Sequence, residues 1–353
     1  MFEAIKMKEQ QFIQTEIVHH PTEDDLQRAA DILLCGGVVA IPTETVYGLG
    51  VNALLENAAP KVYVAKGRPS DNPLIIHLAK AKDAEKYAQV SEDFYTLADA
   101  FMPGPITVIL PKKECIPFTV TGGLQSVAVR VPSHPIAHRL IELCGVPIAA
   151  PSANLSGRPS TTTVEHVIED MQGRVDMILN GGPSDIGLES TIVLPKGNKE
   201  LVLLRPGAVT VEMLEEEGFA VTLDKAVTER LKAGEQPLAP GMKYRHYAPS
   251  AEVILLSGNA DNIHEAMRCY WNSLNVALLV YSDSPIAQAP NAYVLGASDR
   301  GDQQAKTLFD LLRSFDNHPE IKRVLAPLPD RKGIGLALFN RMIKAAGYQI
   351  MDV

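Results

Sequence analysis

The apolar patterning of this 353-residue chain changes once, near residue 220, and that change constrains its fold more than any single motif. Upstream, short apolar runs rich in β-branched residues recur at irregular intervals: Val38–Ile41, Leu74–Leu78, Ile106–Leu110, Val127–Val131, Ile148–Ala150, Met177–Leu179, Thr191–Leu194 and Leu201–Leu204. Each has the length and composition of a buried strand. Helical periodicity falls between some of them, over Ser91–Phe101 and His134–Cys144, and again near Val211–Glu217. Thr22 before Glu23, Asp24 and Asp25 marks a further helix start, and Gly36-Gly37 its end. Many strands with uneven helix spacing predict a strongly twisted mixed sheet carrying helices. Residues 223–250 then lose periodicity, over a length that suits a linker or a functional lid. Beyond them the order is regular: strand Val253–Leu256, helix Asn262–Asn272, strands Val276–Tyr281 and Ala292–Leu295, helix Gln303–Phe315, strand Arg323–Ala326 and helix Ile334–Ala346. That alternation predicts a small Rossmann-like parallel α/β domain. The expected class is therefore α/β, with an N-terminal domain over 1–220, a linker or lid over 221–250 and a second domain over 251–353.

Composition excludes several classes. The chain is 46% hydrophobic and 21% charged with one Trp, as globular proteins are. No apolar run reaches the ~20 residues that span a bilayer, and Met1–Lys6 has mixed charge without the apolar core of a signal peptide. A cytoplasmic protein with no membrane partner is expected. Cys35, Cys115, Cys144 and Cys269 are scattered with no Cys-x-x-Cys pair, and read as reduced, mostly buried thiols. A formal net charge of −9 argues against gripping an RNA duplex as the main task, because that needs a broad basic face. A local basic cleft remains compatible with it.

Two loops punctuated by Gly and Pro carry the functional signal: Pro151–Pro159 and Lys66–Pro73. Lys66 and Arg68 sit two apart in a stretch that should not continue a helix. Along extended chain such residues face the same way, so both cations should converge on one point. Ser152 and Asn154 repeat the spacing with neutral hydrogen-bonding groups. Two cations with a hydroxyl–amide pair suit a polyphosphate. No Walker A sequence and no Gly-x-Ser-x-Gly elbow occurs. Gly48-Leu49-Gly50-Val51-Asn52-Ala53 matches a dinucleotide fingerprint, but Thr43–Tyr47 separate it from the preceding strand, where the first Gly belongs. His134 and His138, four apart, lack the Glu and the third ligand of a zinc helix. Gly333-Ile334-Gly335 reads as a tight turn before the last helix.

Six motifs in register point to a family: Pro42-Thr43-Glu44-Thr45-Val46-Tyr47-Gly48-Leu49-Gly50, Lys66-Gly67-Arg68-Pro69, Ser152-Ala153-Asn154, Glu189-Ser190-Thr191, Leu204-Arg205-Pro206-Gly207 and Pro240–Pro249. On them the chain resembles the threonylcarbamoyl-AMP synthases of the two-domain Sua5 type. That resemblance implies a YrdC-like domain with a concave nucleotide cleft, followed by a C-terminal Sua5 domain. The implied reaction joins L-threonine, bicarbonate or CO2, and ATP into threonylcarbamoyl-AMP and pyrophosphate. The product would be the donor for threonylcarbamoylation of the adenosine beside the anticodon in tRNAs reading codons that begin with A. Carried onto this sequence, the family pattern gives Lys66 and Arg68 a catalytic role. It assigns Arg68, Asn72, Ser126, Ser152, Asn154, Ser160, Arg205 and Tyr247 to ATP. Thr45, His77, Arg130, Ala150 and Ser190 fall in the L-threonine pocket, where Arg130 could take the carboxylate as a bidentate pair. Mg2+ is implied with ATP, although no carboxylate pair in the motifs marks its ligands. A tRNA threonylcarbamoyl transferase is the implied recipient of the product, and direct tRNA binding stays open.

Such chemistry needs positioning and electrostatics more than a nucleophile–base pair. Taken singly, Thr45 and Ser190 read as turn caps, His77 as a core histidine and Arg130 as a solvated charge. It is their joint occurrence that favours a site. Two rival readings are a non-catalytic RNA-binding module of the YrdC type and a carbamoyl-phosphate-using maturation factor. The first needs a basic stripe. The second carries an acylphosphatase-like segment and Cys-x-x-Cys zinc motifs, neither visible in this sequence.

Overall fold

A computed structural model describes residues 13–230, 239–240 and 246–353. Its first part supplies β1 (Glu16–Val18), α1 (Glu23–Leu34), β2 (Val39–Ile41), β3 (Gly48–Asn52), α2 (Ala59–Lys66), β4 (Ile75–His77), α3 (Glu92–Phe101), β5 (Ile106–Pro111) and α4 (Phe118–Thr121). Then come β6 (Ser126–Arg130), α5 (Pro135–Cys144), β7 (Ile148–Ala150), α6 (Val164–Met171), β8 (Met177–Leu179), β9 (Thr191–Gly197), β10 (Glu200–Arg205), α7 (Val211–Glu216) and β11 (Ala220–Leu223). The eleven strands form one sheet in the order β1-β8-β2-β3-β7-β4-β6-β5-β9-β10-β11. It is mixed, as expected: β4 runs parallel to β6 and antiparallel to β7. The second part supplies β12 (Glu252–Ser257), α8 (Ala260–Arg268), β13 (Val276–Tyr281), β14 (Ala292–Gly296), α9 (Gly301–Ser314), β15 (Arg323–Pro327), α10 (Gly335–Ala345) and β16 (Ile350–Asp352). Its five strands form a wholly parallel sheet in the order β14-β13-β15-β12-β16.

Local signals account for most elements. Thr22 caps α1 through a reciprocal box with Asp25, whose carboxylate accepts the Thr22 N–H at 2.8 Å. Strands β1, β3, β11 and β16 were not anticipated. They are short, and β3 carries two glycines that mimic a turn; cross-strand pairing, not pattern, makes them strands. Because β3 pairs antiparallel with β2, the dinucleotide-like glycines lie inside a ladder and not at a strand-to-helix turn. The thiols depart from expectation. Only Cys144 is buried, while Cys35, Cys115 and Cys269 are exposed, since Cys35 and Cys269 sit at helix C-caps and Cys115 in a loop that reach water.

Alternation along the strands divides the first sheet into two faces. Ile76, Val129 and Ala149 point into the largest core, shared with α2, α3 and α6. The opposite face is covered by α1 and α5 at one end, over Val39, Ile41, Met177 and Leu179. Further along that face, Ile75, His77, Arg130 and Ala150 form the floor of a cleft. The second part packs beside this floor. Gly187 (φ +81°) lets the first part touch α9, where a Cβ would meet the Ala305 carbonyl at 2.5 Å. Arg313 of α9, 2% exposed, donates to both carboxylate oxygens of Asp170 at 2.8 and 3.1 Å and to the Pro159 carbonyl at 2.8 Å.

Candidate active site

The cleft lies over this floor, walled by α2, the Ser152–Ser160 loop and the residues around Glu189, Ser190 and Arg205. One wall is α2 and the loop it enters. Here the structure corrects the expectation of extended chain around Lys66. Ala59–Lys66 is helical, and Gly67 ends the helix in the left-handed region at φ 61°. Lys66 and Arg68 still both line the cleft, but through a helix end and not through strand alternation. The Lys66 ammonium is only 3% exposed. It donates to the carbonyls of Ser152 and Asn154, both at 2.5 Å, and reaches Asn154 Oδ1 at 3.3 Å. Burial and the charge of Arg68 push its pKa well below the ordinary lysine value, while these three acceptors favour the ammonium. Its visible work is to shape the Ser152–Asn154 loop. Arg68 is half-buried and reaches the carbonyls of Asn72 and Pro73 at 3.4 and 3.3 Å.

The floor carries a buried ion pair. Arg130 Nη2 lies 2.7 Å from Glu44 Oε1, and the residues are 4% and 6% exposed. Burial acts to raise the Glu44 carboxyl, but Arg130's charge and hydrogen bond outweigh it and hold it below the usual range. Glu44 Oε2 has no partner among the described residues. Beside Arg130 in register lies His77. Its Nδ1 faces the carbonyls of Ile75 and Ile148 at 3.1 and 3.3 Å, so Nδ1 carries the proton. Burial, then Arg130, lowers its pKa to about 3, leaving a neutral ring with a lone pair on Nε2.

The far wall joins β9, β10 and the second part of the chain. Arg205 donates from Nε to the Ser190 carbonyl at 3.0 Å and from Nη2 to Ser190 Oγ at 3.2 Å. Ser190 Oγ in turn lies 2.7 Å from Thr107 Oγ1. Burial lowers Arg205 to about 10, so it stays charged at neutral pH. Glu189 accepts the Ser160 hydroxyl and the Arg341 Nε. Burial opposes its ionisation, but the charges of Arg341 and Arg205 hold its pKa at about 2. Tyr247 has φ 64°, a conformation rare outside glycine. Its ring stacks on Phe309 of α9 at 5.2 Å.

Thr45, Lys66, Arg68, His77, Arg130, Ala150, Ser152, Asn154, Ser160, Ser190, Arg205 and Tyr247 thus all line one cleft. Asn72 and Ser126 do not. Asn72 lies buried behind Arg68, and Ser126 opens β6 opposite Pro111. Residues 231–238 and 241–245 of the expected linker or lid fall outside the described residues. Sequence reasoning gave no role to Glu44 and Glu189, although both stood inside quoted motifs. His246 of the cleft was legible only as part of the Pro240–Pro249 run, and Arg341 carried no signal at all. Among the described residues no group of three or more His, Cys, Asp or Glu could hold a metal, and no helix is long and apolar enough to cross a membrane.

The buried groups make acid stability predictable. His77 titrates at about 3 folded against 6.5 unfolded, and Glu189 at about 2 against 4.5. Between those values the unfolded chain binds more protons, so stability rises with pH. Each group contributes up to about 1.4 kcal/mol per pH unit, with His246, also lowered to about 3 by burial and Arg68, adding in the same direction. The urea midpoint should fall from pH 7 to pH 5 and faster below 4.5. A midpoint unchanged between pH 7 and 5 would mean that the imidazoles are protonated in the folded protein.

Comparison with known proteins agrees with this architecture. Residues 31–207 match the family model described as "Telomere recombination", and residues 209–347 the one described as "Threonylcarbamoyl-AMP synthase, C-terminal domain". The threonylcarbamoyl-AMP synthase of Pyrococcus abyssi is 45% identical over 330 residues, which cover 92% of this chain and 95% of the relative. That of Bacillus subtilis is 42% identical over 333 residues, covering 93% and 95%. The crystal structure of P. abyssi Sua5 complexed with L-threonine superposes with a TM-score of 0.87 at 42% identity, over 96% of this chain and 99% of that one. Fold, cleft and relatives together define an enzyme of the nucleotidyltransferase type. The chain belongs to the two-domain Sua5 family of threonylcarbamoyl-AMP synthases.

Proposed function

We propose that the cleft condenses L-threonine, bicarbonate or CO2, and ATP into threonylcarbamoyl-AMP and pyrophosphate. The observation that carries this reading is the meeting, in one cleft, of the Arg130–His77 floor with the cationic walls of Arg68 and Arg205. The related structure with L-threonine bound supports it. In this reading the threonine carboxylate is held by Arg130, whose guanidinium Glu44 fixes in place. His77 Nε2 accepts a hydrogen bond from the substrate, and Thr45, Ala150 and Ser190 close the pocket. The threonine amine, as the free base, adds to CO2 and gives up a proton, or to bicarbonate with loss of water, to form a carbamate. A carbamate oxygen then displaces pyrophosphate from the α-phosphorus of ATP. Arg68 and Arg205 oppose the charge that develops on the phosphates, and such fixed donors need no reorganisation as it grows. Ser152, Asn154, Ser160 and Tyr247 position the nucleotide, while Asn72 acts from behind Arg68, whose guanidinium reaches its carbonyl. Glu44 and Glu189 are paired with Arg130 and Arg341, and in this reading Mg2+ enters as part of the MgATP substrate. The product, a mixed anhydride of a carbamate and a phosphate, suits direct hand-over to a tRNA-modifying transferase.

Purified protein with MgATP and bicarbonate should release pyrophosphate only when L-threonine is present. L-Serine should be turned over more slowly, since one methyl is worth ~1–3 kcal/mol, or about 10–200-fold. Equal release without any amino acid would replace this reading with plain ATP hydrolysis.

A further inference from the structure

Helix α10, near the end of the chain, contributes a side chain to the wall of a cleft that otherwise belongs to the first sheet. Arg341 is fully buried, at 0% exposure. Its Nε donates to Glu189 Oε2 at 2.8 Å, and its Nη1 to the Pro206 carbonyl at 3.0 Å and to Asn340 Oδ1 at 2.9 Å. The other oxygen of Glu189 accepts the Ser160 hydroxyl. Glu189, Ser160 and Arg205, the neighbour of Pro206, all line the cleft.

We propose that Arg341 is a positioning residue of the nucleotide site: by neutralising and orienting Glu189 it fixes Ser160 Oγ and keeps the charge of Arg205 available to the phosphates. This rests on the reading of the cleft as an ATP site. The geometry separates the role from simple adhesion between the two parts. Adhesion is already served by Arg313 on Asp170, whereas the guanidinium of Arg341 is spent on a cleft carboxylate and on the carbonyl that follows Arg205. A buried carboxylate stays ionised at low cost only beside a cation. With Arg341 gone, Glu189 would turn to Arg205, the other cation that holds its charge, and withdraw it from the substrate. Among the described residues, the ionisable groups facing Glu189 are Arg341 and Lys344 from α10, Arg205 from β10, Lys66 from α2, and His246 and Tyr247 from the segment before β12.

The test compares the wild-type full chain, Arg341→Met, and Arg341→Met with Glu189→Gln, measuring the Kd for MgATP at pH 6.5 and 8.5 together with melting temperature. Arg341→Met should weaken ATP binding by about tenfold or more at pH 8.5 and less at pH 6.5, where the stranded carboxylate takes up a proton. Adding Glu189→Gln should return the Kd to within about threefold of wild type at both pH values, because the amide keeps an acceptor for Ser160 without the charge. Lys344, lowered to about 7 by burial and Arg341, titrates in the same window. It is present in all three proteins and feels the charge of Glu189, so a loss that Glu189→Gln repairs is carried by that charge, directly or through Lys344. Unchanged ATP affinity in Arg341→Met overturns the proposal, as does a pH-independent loss that Glu189→Gln does not repair. If the single variant fails to fold, the double variant decides: near-normal affinity supports the role, and tenfold loss or failure to fold assigns Arg341 to structure alone. ATP binding without threonine-dependent pyrophosphate release in the wild type would remove the proposed reaction and leave this comparison intact.

Discussion

Replacing Lys66 by Ala is expected to lower stability by about 3 kcal/mol or more and to abolish turnover, whereas Arg68→Ala should spare stability. Lys66 is the donor to three oxygens of the Ser152–Asn154 loop. Each buried acceptor left without a donor costs about 1–3 kcal/mol. At roughly 2–4 °C per kcal/mol for a domain of this size, the melting temperature should fall by about 6–12 °C. The loop that carries Ser152 and Asn154 would lose its shape with it. Arg68 reaches two carbonyls at 3.4 and 3.3 Å from a half-buried position. Its loss should leave melting within a degree or two and cut turnover about 10–100-fold, the worth of one charge-assisted phosphate contact. Thermal melts and pyrophosphate release on both variants decide this. A Lys66→Ala protein that melts like wild type would place the ammonium in water and return Lys66 to the direct phosphate role that its spacing predicts.

Asp170→Asn is the second large effect. The side chain is fully buried and accepts from Arg158, from Arg313 and from the Leu155 N–H at 3.0 Å. An amide would set its own NH2 against these donors and leave Arg158 and Arg313 with only the more exposed carboxylates of Glu169 and Asp316. Breaking such a buried network costs about 3–5 kcal/mol, or about 6–20 °C in melting temperature. Because Arg313 comes from α9 and Leu155 and Arg158 from the cleft loop, the damage should be shared. Calorimetry should show the two parts unfolding in separate transitions, with turnover reduced through the displaced Ser152–Ser160 loop. One unchanged transition would show that Asp170 does not couple them.

Periodicity and capping were enough to place most strands and helices, the mixed character of the first sheet and the parallel character of the second. The joint motifs also brought most of the candidate site residues to one cleft. Short elements were less legible: β3 reads as a glycine turn because only its pairing with β2 makes it a strand. Helix α2 was hidden by the glycine and prolines that follow it, which end a helix but say nothing about the residues before them.

Taken alone, then, the sequence determines where apolar faces alternate, which loops hold paired cations and polar groups, and which family those motifs belong to. It does not determine which charges lose their water. Arg130 reads locally as a surface cation and is instead buried on Glu44, 86 residues away. Arg341 reads as one more charge on an amphipathic helix and is instead the partner of Glu189, 152 residues away. Desolvation and ion pairing act between groups that meet only when distant segments pack. Local spacing carries no record of those meetings, so the electrostatics of the cleft belongs to the tertiary structure.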